Sequence, residues 1–253
     1  VALWDIGGKQ AGLPVHQLLG GYRTKLPAYA STVTYSSISE FLDIADQALA
    51  LGYPMIKLHA FGNAKRDAEL CLALRAHVGP DVELMYDGSA AFDLQDAVYL
   101  GHALDEANYL WYEEPMREFS VTAYKWLGER VRVPLLLGEV TDGSHMNAGD
   151  FVATGVATSL RTSTFLKGGF TGAMRIAHLA DAYHLRAEVH GMGLESAHLC
   201  MAIKNTTAYE SLVWGNPIKR EALVHADGHV HAPTAPGVGY ESLWKENGIP
   251  KGL

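Results

Sequence analysis

The sequence lacks the features of a membrane-spanning, secreted or nucleic-acid-binding protein. No apolar run reaches the ~18–20 residues that a helix needs to cross a bilayer, and no signal-peptide pattern opens the sequence. Only two cysteines occur, Cys71 and Cys200, and they are far apart in the chain. Acidic residues outnumber basic ones by 28 to 20, which gives a formal net charge of −8. We therefore expect a cytoplasmic protein with free thiols and with neither a membrane nor a nucleic acid as partner.

A Gly-x-Gly-x-x-Gly motif is also absent after the first predicted strand, which argues against an open dinucleotide-binding sheet. What is present is an alternation of short apolar strands with helices. Repeated over 253 residues, this pattern favours one closed parallel barrel, since a (β/α)₈ barrel takes about 250 residues. The predicted strands are Leu26–Thr34, Met55–His59, Val82–Asp87, Tyr109–Glu113, Val133–Leu137, Ser159–Ser163, Arg186–His190 and Tyr209–Val213. We interpret residues 1–253 as a single domain, with a leading helix at 1–21 and an irregular tail at 216–253.

Three successive predicted strands end in, or are closely followed by, a carboxylate. Asp87, Glu113 and Glu139 recur at intervals of 26 residues, which is about the length of one right-handed β/α unit. Because the carboxyl ends of parallel strands meet at one mouth of a barrel, we expect these side chains to converge there. Three hard oxygen ligands around one point suit Mg²⁺. Glu114 directly follows Glu113, and strand alternation alone does not choose between the two.

Basic side chains and one further acid are predicted near the same mouth. Lys57 and His59 are two residues apart on one strand and therefore face the same way. His190 closes the seventh strand before a Gly-rich stretch, a suitable position for a general acid or base. Glu210 lies on the eighth strand. Taken singly, each such residue is more often a helix cap, a solvated charge or a packed side chain; their joint position favours an active site.

In this order the motifs resemble those of the enolase superfamily, and most closely its mandelate racemase subgroup. The resemblance runs from Val1 to about Tyr240. It rests on Lys57-x-His59, Asp87, Glu113-Glu114-Pro115, Gly138-Glu139, Lys167-Gly168-Gly169-x-Thr171-Gly172, His190 and Glu210. It implies a (β/α)₇β TIM-type barrel in which Mg²⁺ is held by Asp87, Glu113 and Glu139. The family's N-terminal capping domain has no counterpart in this sequence, so we expect the chain to be a fragment.

The resemblance also implies a reaction and a substrate class. The family removes a proton α to a carboxylate and stabilises the resulting enediolate with the metal, and acid-sugar dehydration is the commonest activity of this subgroup. We therefore expect a Mg²⁺-dependent hydro-lyase, homo-oligomeric, that acts on a small-molecule carboxylate, a sugar acid. His190 is expected to be the main acid/base, and His59 a second base or substrate contact. Glu210 is expected to polarise the enolate oxygen, and Lys57 to bind the substrate carboxylate.

Two positions depart from the subgroup's pattern. His59 stands where a second lysine is usual, and Ser163 stands where an Asp usually orients the catalytic histidine. Arg161 lies two residues before Ser163 and should face the same way, which places both in the expected substrate-binding region. These departures leave two alternatives open: a 2-hydroxy-acid racemase or epimerase, and a metal-binding barrel with impaired catalysis. A third is an unrelated barrel lyase in which the acids are only caps.

Overall fold

Eight parallel strands alternate with helices in the computed structural model, which describes residues 1–241. The parallel strands are β1 Lys25–Thr32, β2 Met55–His59, β3 Glu83–Asp87, β4 Trp111–Glu113, β5 Leu135–Leu137, β6 Ser159–Thr162, β7 Arg186–Val189 and β8 Tyr209–Val213. The helices are α1 Ala2–Ala11, α2 Val15–Leu18, α3 Ile38–Ala50, α4 Ala64–Val78, α5 Leu94–Glu106, α6 Val121–Gly128, α7 His145–Ala153, α8 Gly169–Ala182 and α9 Leu194–Ala202. Hydrogen bonds join the parallel strands in the order β7-β6-β5-β4-β3-β2-β1-β8. One helix connects each parallel strand to the next, as the predicted (β/α)₇β TIM-type architecture requires.

Local sequence explains where several helices begin. Ser37 caps α3, because its hydroxyl accepts the backbone N–H of Glu40. Asn63 caps α4 in the same way, by accepting the N–H of Arg66. After α3 the chain turns at Gly52, whose φ of 94° lies in the left-handed region that glycine adopts readily. These devices bring each helix back to the start of the next strand.

The interior of the sheet has an apolar floor beneath a charged layer. A buried cluster, separate from the main core, consists of Tyr29, Met55, Met85, Trp111, Leu136 and Ala208. Two residues beyond its members on β2, β3 and β4 come Lys57, Asp87 and Glu113, which face the same way. The main core fills the space between the sheet and the helices and includes both free cysteines, Cys71 and Cys200. We call the charged groups above the floor the charged layer.

Strand register sets the height of the charged groups. His59 on β2 is paired with Asp87 on β3, and Asp87 is paired with Glu113 on β4. Lys57 is paired with Met85, one step below that level. The side chains that the sequence placed near one mouth therefore start from neighbouring positions on adjacent strands.

The two ends of the chain differ in detail from the expected organisation. Residues 1–21 contain two helices, because α1 ends at Gly12, which has a left-handed φ of 68°. The tail that was expected to be irregular contains a ninth strand, β9 (His229–His231), which pairs antiparallel with β1. Residues 242–253 of that tail lie outside the described part of the chain. Among the described residues, every helix is too short or too polar to span a lipid bilayer.

Candidate metal centre and active site

Asp87, Glu113 and Glu139 converge at the carboxyl ends of β3, β4 and β5. Each offers one carboxylate oxygen, and these oxygens lie within 4.8 Å of one another. Asp87 and Glu113 are brought together by strand register. Glu139 lies two residues beyond β5, after Gly138, whose φ is 99°. The three residues predicted to bind metal are thus adjacent, and their spacing in the sequence was the signal that identified them.

The two glutamates of the doublet face different groups. Glu113 is the member that joins the carboxylate cluster. Glu114, which has a positive φ of 38°, accepts the backbone N–H of Val140 at 3.1 Å. Burial, together with the charges of Glu139 and Glu118, raises the pKa of Glu114 to about 9. The choice between Glu113 and Glu114 that alternation left open therefore falls on Glu113.

Lys57 lies at the centre of the charged layer. Its ammonium group donates to Asp87 and Glu113 at 2.9 and 2.8 Å, and it lies 2.8 Å from Glu210. These three contacts match the three donors of an ammonium group. Although burial opposes the charge, the surrounding carboxylates raise the pKa of Lys57 well above its ordinary value. Lys57 therefore stays cationic and holds the carboxylates together, which leaves no donor for a substrate in this arrangement.

Arg161 is a second buried cation in the charged layer. Its Nε lies 2.5 Å from Glu113 Oε1 and 3.7 Å from Glu139 Oε2. One terminal nitrogen donates to Glu210 at 2.9 Å and to the Tyr29 hydroxyl at 3.0 Å. Only 1% of the side chain is exposed. The guanidinium group faces the carboxylates of Glu113, Glu139 and Glu210, whereas a contact with a substrate was expected from the sequence.

Glu210 completes the charged layer from β8. Its Oε1 accepts from Ser31 at 2.9 Å, and its Oε2 accepts from Arg161 and from the backbone N–H of Gly191, at 2.9 and 2.8 Å. Although burial opposes ionisation, Lys57 and Arg161 hold the pKa of Glu210 well below its usual range. Glu210 is therefore an ionised acceptor that ties β8 to β1 and to the end of β7.

His59 lies beside the metal cluster at the end of β2. Its Nδ1 is 2.6 Å from the backbone carbonyl oxygen of Thr32, so this nitrogen carries a proton. Its Nε2 is 3.0 Å from Asp87 Oδ2. Although burial favours the neutral ring, the Asp87 carboxylate raises the pKa of His59 above its ordinary value. In the neutral ring, the nitrogen that faces Asp87 is the one with a free lone pair.

His190 lies on the other side of the cluster, with its Nε2 3.3 Å from Glu139 Oε1. Its Nδ1 is 3.4 Å from the hydroxyl of Ser163. That hydroxyl already accepts the backbone N–H groups of Phe165 and Leu166, at 3.1 and 3.3 Å. A serine hydroxyl has two acceptor sites and one proton, so its proton is left for His190 Nδ1. Burial, together with Arg161, lowers the pKa of His190, and the neutral ring then carries its proton on Nε2.

These groups surround a cavity of about 330 Å³ at the barrel mouth. His59 and His190 are part of its wall, together with the apolar side chains of Phe165 and Met192. Met192 and Leu212 also line a larger, mainly apolar cavity of about 590 Å³ beside it. The smaller cavity is of a size that binds small organic molecules, and it is the one that reaches the carboxylates.

Comparison with known proteins gives a family. Residues 40–245 match the family model described as enolase C-terminal domain-like. The chain belongs to the enolase superfamily. A D-galactonate dehydratase family member from Streptomyces bingchenggensis is 26% identical over 95% of this chain and 69% of that protein. Arabinonate dehydratase from Saccharolobus solfataricus is 26% identical over 94% of this chain and 67% of that protein.

A solved structure extends this relationship. D-glucarate dehydratase from Agrobacterium tumefaciens, complexed with magnesium, is 34% identical and superposes with a TM-score of 0.88, over 94% of this chain and 68% of that one. The chain thus spans 67 to 69% of the length of these three proteins. Two of these three proteins are named as acid-sugar dehydratases and the third as a member of a dehydratase family. Both the predicted superfamily and the predicted barrel are confirmed.

The carboxylate cluster fits the divalent metal of an enolase-superfamily centre. Its three donors are hard oxygen atoms, and Glu139 Oε2 is buried without a hydrogen-bond partner within residues 1–241. When ionised, the four carboxylates of the charged layer carry two more charges than its cations, Lys57 and Arg161. Burial raises the pKa of Glu113 to about 8 although Arg161 and Lys57 oppose this rise. The ionised form of Glu113 would therefore be stabilised by a further positive charge at its carboxylate. One Mg²⁺ would balance this excess.

Sequence reasoning missed the groups that support these side chains from behind. Thr32 holds the ring of His59 through its backbone carbonyl, and Ser31 holds Glu210 through its hydroxyl. Both lie on β1, which contributes no charged residue to the enolase-superfamily motif. A carbonyl contact does not depend on residue type, so the sequence carried no signal for Thr32. Glu118, which binds the turn around Glu139, was also missed.

Proposed function

We propose that this chain carries the catalytic barrel of a Mg²⁺-dependent acid-sugar dehydratase, which removes the proton α to a carboxylate and eliminates water from a sugar acid. The observation that carries the proposal is the clustering of Asp87, Glu113 and Glu139 beside a small cavity that Asp87, Glu139 and two histidines line. The names of the relatives support the substrate class. Held by these three residues, Mg²⁺ would stabilise the negative charge that a substrate carboxylate gains as its α-proton leaves.

His59 is the proposed base. Because its Nδ1 proton is donated to Thr32, the neutral ring has its lone pair at Nε2, beside the carboxylate cluster. His59 therefore takes the α-proton at Nε2 and is then an imidazolium. From the same atom it delivers this proton to the β-hydroxyl, which leaves as water, so one histidine serves both steps.

His190 is proposed as a hydrogen-bond donor. The Ser163 hydroxyl directs its proton to Nδ1, which leaves an N–H group at Nε2, the atom nearest the cluster. That N–H can stabilise negative charge on a substrate oxygen but cannot accept a proton there. This role differs from the sequence expectation that His190 is the main acid/base. Ser163 accordingly orients His190 and is not proposed to touch the substrate.

The remaining charged groups hold the layer in place. Lys57, Arg161 and Glu210 use their polar atoms on one another and on the cluster. We propose that they position Glu113 and neutralise part of its charge. This is a supporting role, in place of the substrate contacts expected from the sequence for Lys57 and Arg161.

The function is tested with a panel of C5 and C6 sugar acids, supplied with Mg²⁺ and scored for 2-keto-3-deoxy acid product. We expect product from at least one acid, no product after chelation of the metal, and none from Glu139→Gln. If the protein binds Mg²⁺ but yields no product and exchanges no α-proton in D₂O, the barrel has lost catalysis and the proposal is wrong.

The histidine roles are tested separately with glutamine and alanine. His59→Gln should lower kcat by about 10²- to 10⁴-fold, since no base remains. His190→Gln keeps an N–H donor and should retain more activity than His190→Ala. Equal, complete loss in both His190 variants, with activity retained in His59→Gln, would instead make His190 the base.

A racemase or epimerase is the second candidate, because the two histidines contact opposite ends of the cluster, His59 at Asp87 and His190 at Glu139. Incubation in D₂O distinguishes the two reactions. A racemase returns deuterated substrate of both configurations, whereas a dehydratase releases a keto acid. We favour dehydration because the hydrogen bonds of Ser163 suit only one of the two histidines to act as a base.

A further inference from the structure

Three buried ionisable side chains outside the charged layer converge on the turn that carries Glu139. This turn, residues 138–141, follows the three-residue strand β5. The side chains are those of Glu118, Glu114 and Lys167, with 7, 4 and 2% of each residue exposed. Burying a polar or charged group is costly unless it is hydrogen-bonded or paired, so each side chain needs a specific partner. All three find one in the backbone of the turn.

Glu118 contacts both ends of the turn with one carboxylate. Its Oε1 accepts the backbone N–H of Gly138 at 2.5 Å, immediately before Glu139. Its Oε2 accepts the backbone N–H of Thr141 at 3.2 Å and is also bonded by the Thr141 hydroxyl. Bonds from one rigid carboxylate to positions 138 and 141 fix the distance between them, and Glu139 lies inside that interval.

Lys167 and Glu114 hold the same turn from other directions. Lys167 donates to the carbonyl oxygen of Thr141 at 2.7 Å. Glu114 accepts the N–H of Val140 at 3.1 Å. Together with Glu118, they bond the backbone on both sides of Glu139 without touching its carboxylate oxygens.

The turn needs such support because the sheet does not provide it. The register of β5 with β6 ends at Leu137, so Glu139 lies beyond the ladder. Gly138 adds conformational freedom at φ 99°. By contrast, Asp87 and Glu113 are paired with each other inside the ladder. Within the carboxylate cluster, it is therefore Glu139 whose position depends on side chains that are hydrogen-bonded to the backbone of its turn.

We propose that Glu118, assisted by Lys167, is a positioning residue for Glu139, which fixes the Gly138–Thr141 turn so that the Glu139 carboxylate is held ready for a divalent metal. The proposal rests on the proposed function in one respect, since it takes Glu139 as a metal ligand. Removing the Glu118 carboxylate should weaken Mg²⁺ binding although no ligand is removed.

The test measures Mg²⁺ affinity of the full chain by isothermal titration calorimetry. Glu118→Gln retains only one carbonyl oxygen to accept hydrogen bonds and should lower the affinity on the order of ten-fold. Thr141→Val removes only the hydroxyl and should have a smaller effect in the same direction. Glu129→Gln is the matched control, because the Glu129 side chain is 63% exposed, and it should bind Mg²⁺ as the unchanged chain does.

A second measurement separates positioning from general stability. Thermal unfolding of each variant is recorded without metal, and the affinity is referred to the folded fraction. If Glu118→Gln lowers the unfolding temperature but binds Mg²⁺ as tightly as Glu129→Gln, Glu118 is only structural and the proposal is overturned. If Glu139→Gln binds Mg²⁺ as tightly as the unchanged chain, the proposed metal centre itself is wrong. Weak binding in Glu118→Gln, with Glu139→Gln weaker still, supports both.

Discussion

Lys57 contacts three of the four carboxylates in the charged layer, at 2.8 to 2.9 Å. Such a buried cation is worth little as a source of net stability, because its desolvation offsets its attraction to the acids. Removing the Lys57 charge should be strongly destabilising, since the acids would remain buried without their shared partner. The charged layer is therefore stable only when its cations and its carboxylates are all present.

Lys57→Met, which keeps the length of the side chain but removes the charge, should lower the free energy of unfolding by about 3–5 kcal/mol at pH 7. Urea unfolding followed by circular dichroism measures the change. Lys125→Met is the matched control, because Lys125 is exposed on α6, and it should change the value by less than about 0.5 kcal/mol. Equal effects of the two substitutions would mean that the layer does not depend on Lys57.

At this scale the sequence predicted which residues meet, but not what each one does. The 26-residue spacing of Asp87, Glu113 and Glu139 was enough to bring them to one place. The proton positions of the histidines could not be predicted, because they depend on Thr32 and Ser163 as hydrogen-bond partners in three dimensions. The spacing of residues in the sequence therefore does not predict a role that depends on which atoms are in contact.

Among the helices, α3 offers a direct test of a cap. Ser37→Ala removes the acceptor for the Glu40 N–H and should lower the free energy of unfolding by about 1 kcal/mol. Ser39 is exposed within the first turn, and Ser39→Ala should leave stability unchanged or slightly raised. Chemical denaturation of both variants gives the comparison. A larger loss for Ser39→Ala than for Ser37→Ala would show that the helix begins elsewhere.

The second helix, α2, and the segment at Val238 are joined to α9 through a buried histidine. His198 Nδ1 accepts the backbone N–H of His16, and its Nε2 bonds the carbonyl oxygen of Val238 at 3.0 Å. These partners require one nitrogen to accept and the other to donate, which only the neutral ring does. Burial accordingly lowers the pKa of His198 to about 4.

This pKa predicts an acid-sensitive attachment of α2. An unfolded histidine titrates near 6.5, so the unfolded chain binds the extra proton first as the pH falls. The stabilisation is complete above about pH 6.5 and is lost between pH 6.5 and 4, and by pH 4.5 the loss amounts to about 2–3 kcal/mol. His198→Gln, which retains a donor and an acceptor, should flatten this part of the stability profile. His102→Gln, on an exposed histidine, should leave the slope unchanged.

The order of strands and helices was predicted well, and their ends less well. Predicted strands such as Val133–Leu137 are observed with shorter limits, here Leu135–Leu137, because apolar residues also flank the paired segment. The strand β9 was missed. Its three residues pair with β1, some 200 positions away in the sequence, and only the folded chain shows that partner. The local sequence pattern predicts a long helix or strand. A short strand such as β9 depends on its pairing with a distant part of the chain.

For the whole molecule, metal binding should appear as stability. A ligand that binds only the folded state at 100 times its Kd stabilises by about 2.7 kcal/mol. For a chain of 253 residues this corresponds to a rise in Tm of roughly 5–10 °C. Differential scanning calorimetry with increasing MgCl₂ measures the shift, with NaCl at equal ionic strength as control. Absence of any Mg²⁺-specific shift at saturating metal would contradict the proposed centre.

The apolar floor beneath the charged layer also affects how substrate enters the cavity and how products leave it. Because Trp111, Met55 and their neighbours fill the interior below the carboxylates, molecules reach the cavity through the mouth of the barrel. In a dehydratase, each turnover releases water into that mouth, through which the keto acid must also leave. The side chains at the rim, Phe165 and Met192 among them, therefore govern arrival and departure alike. Bulkier residues there should slow product release as much as substrate capture.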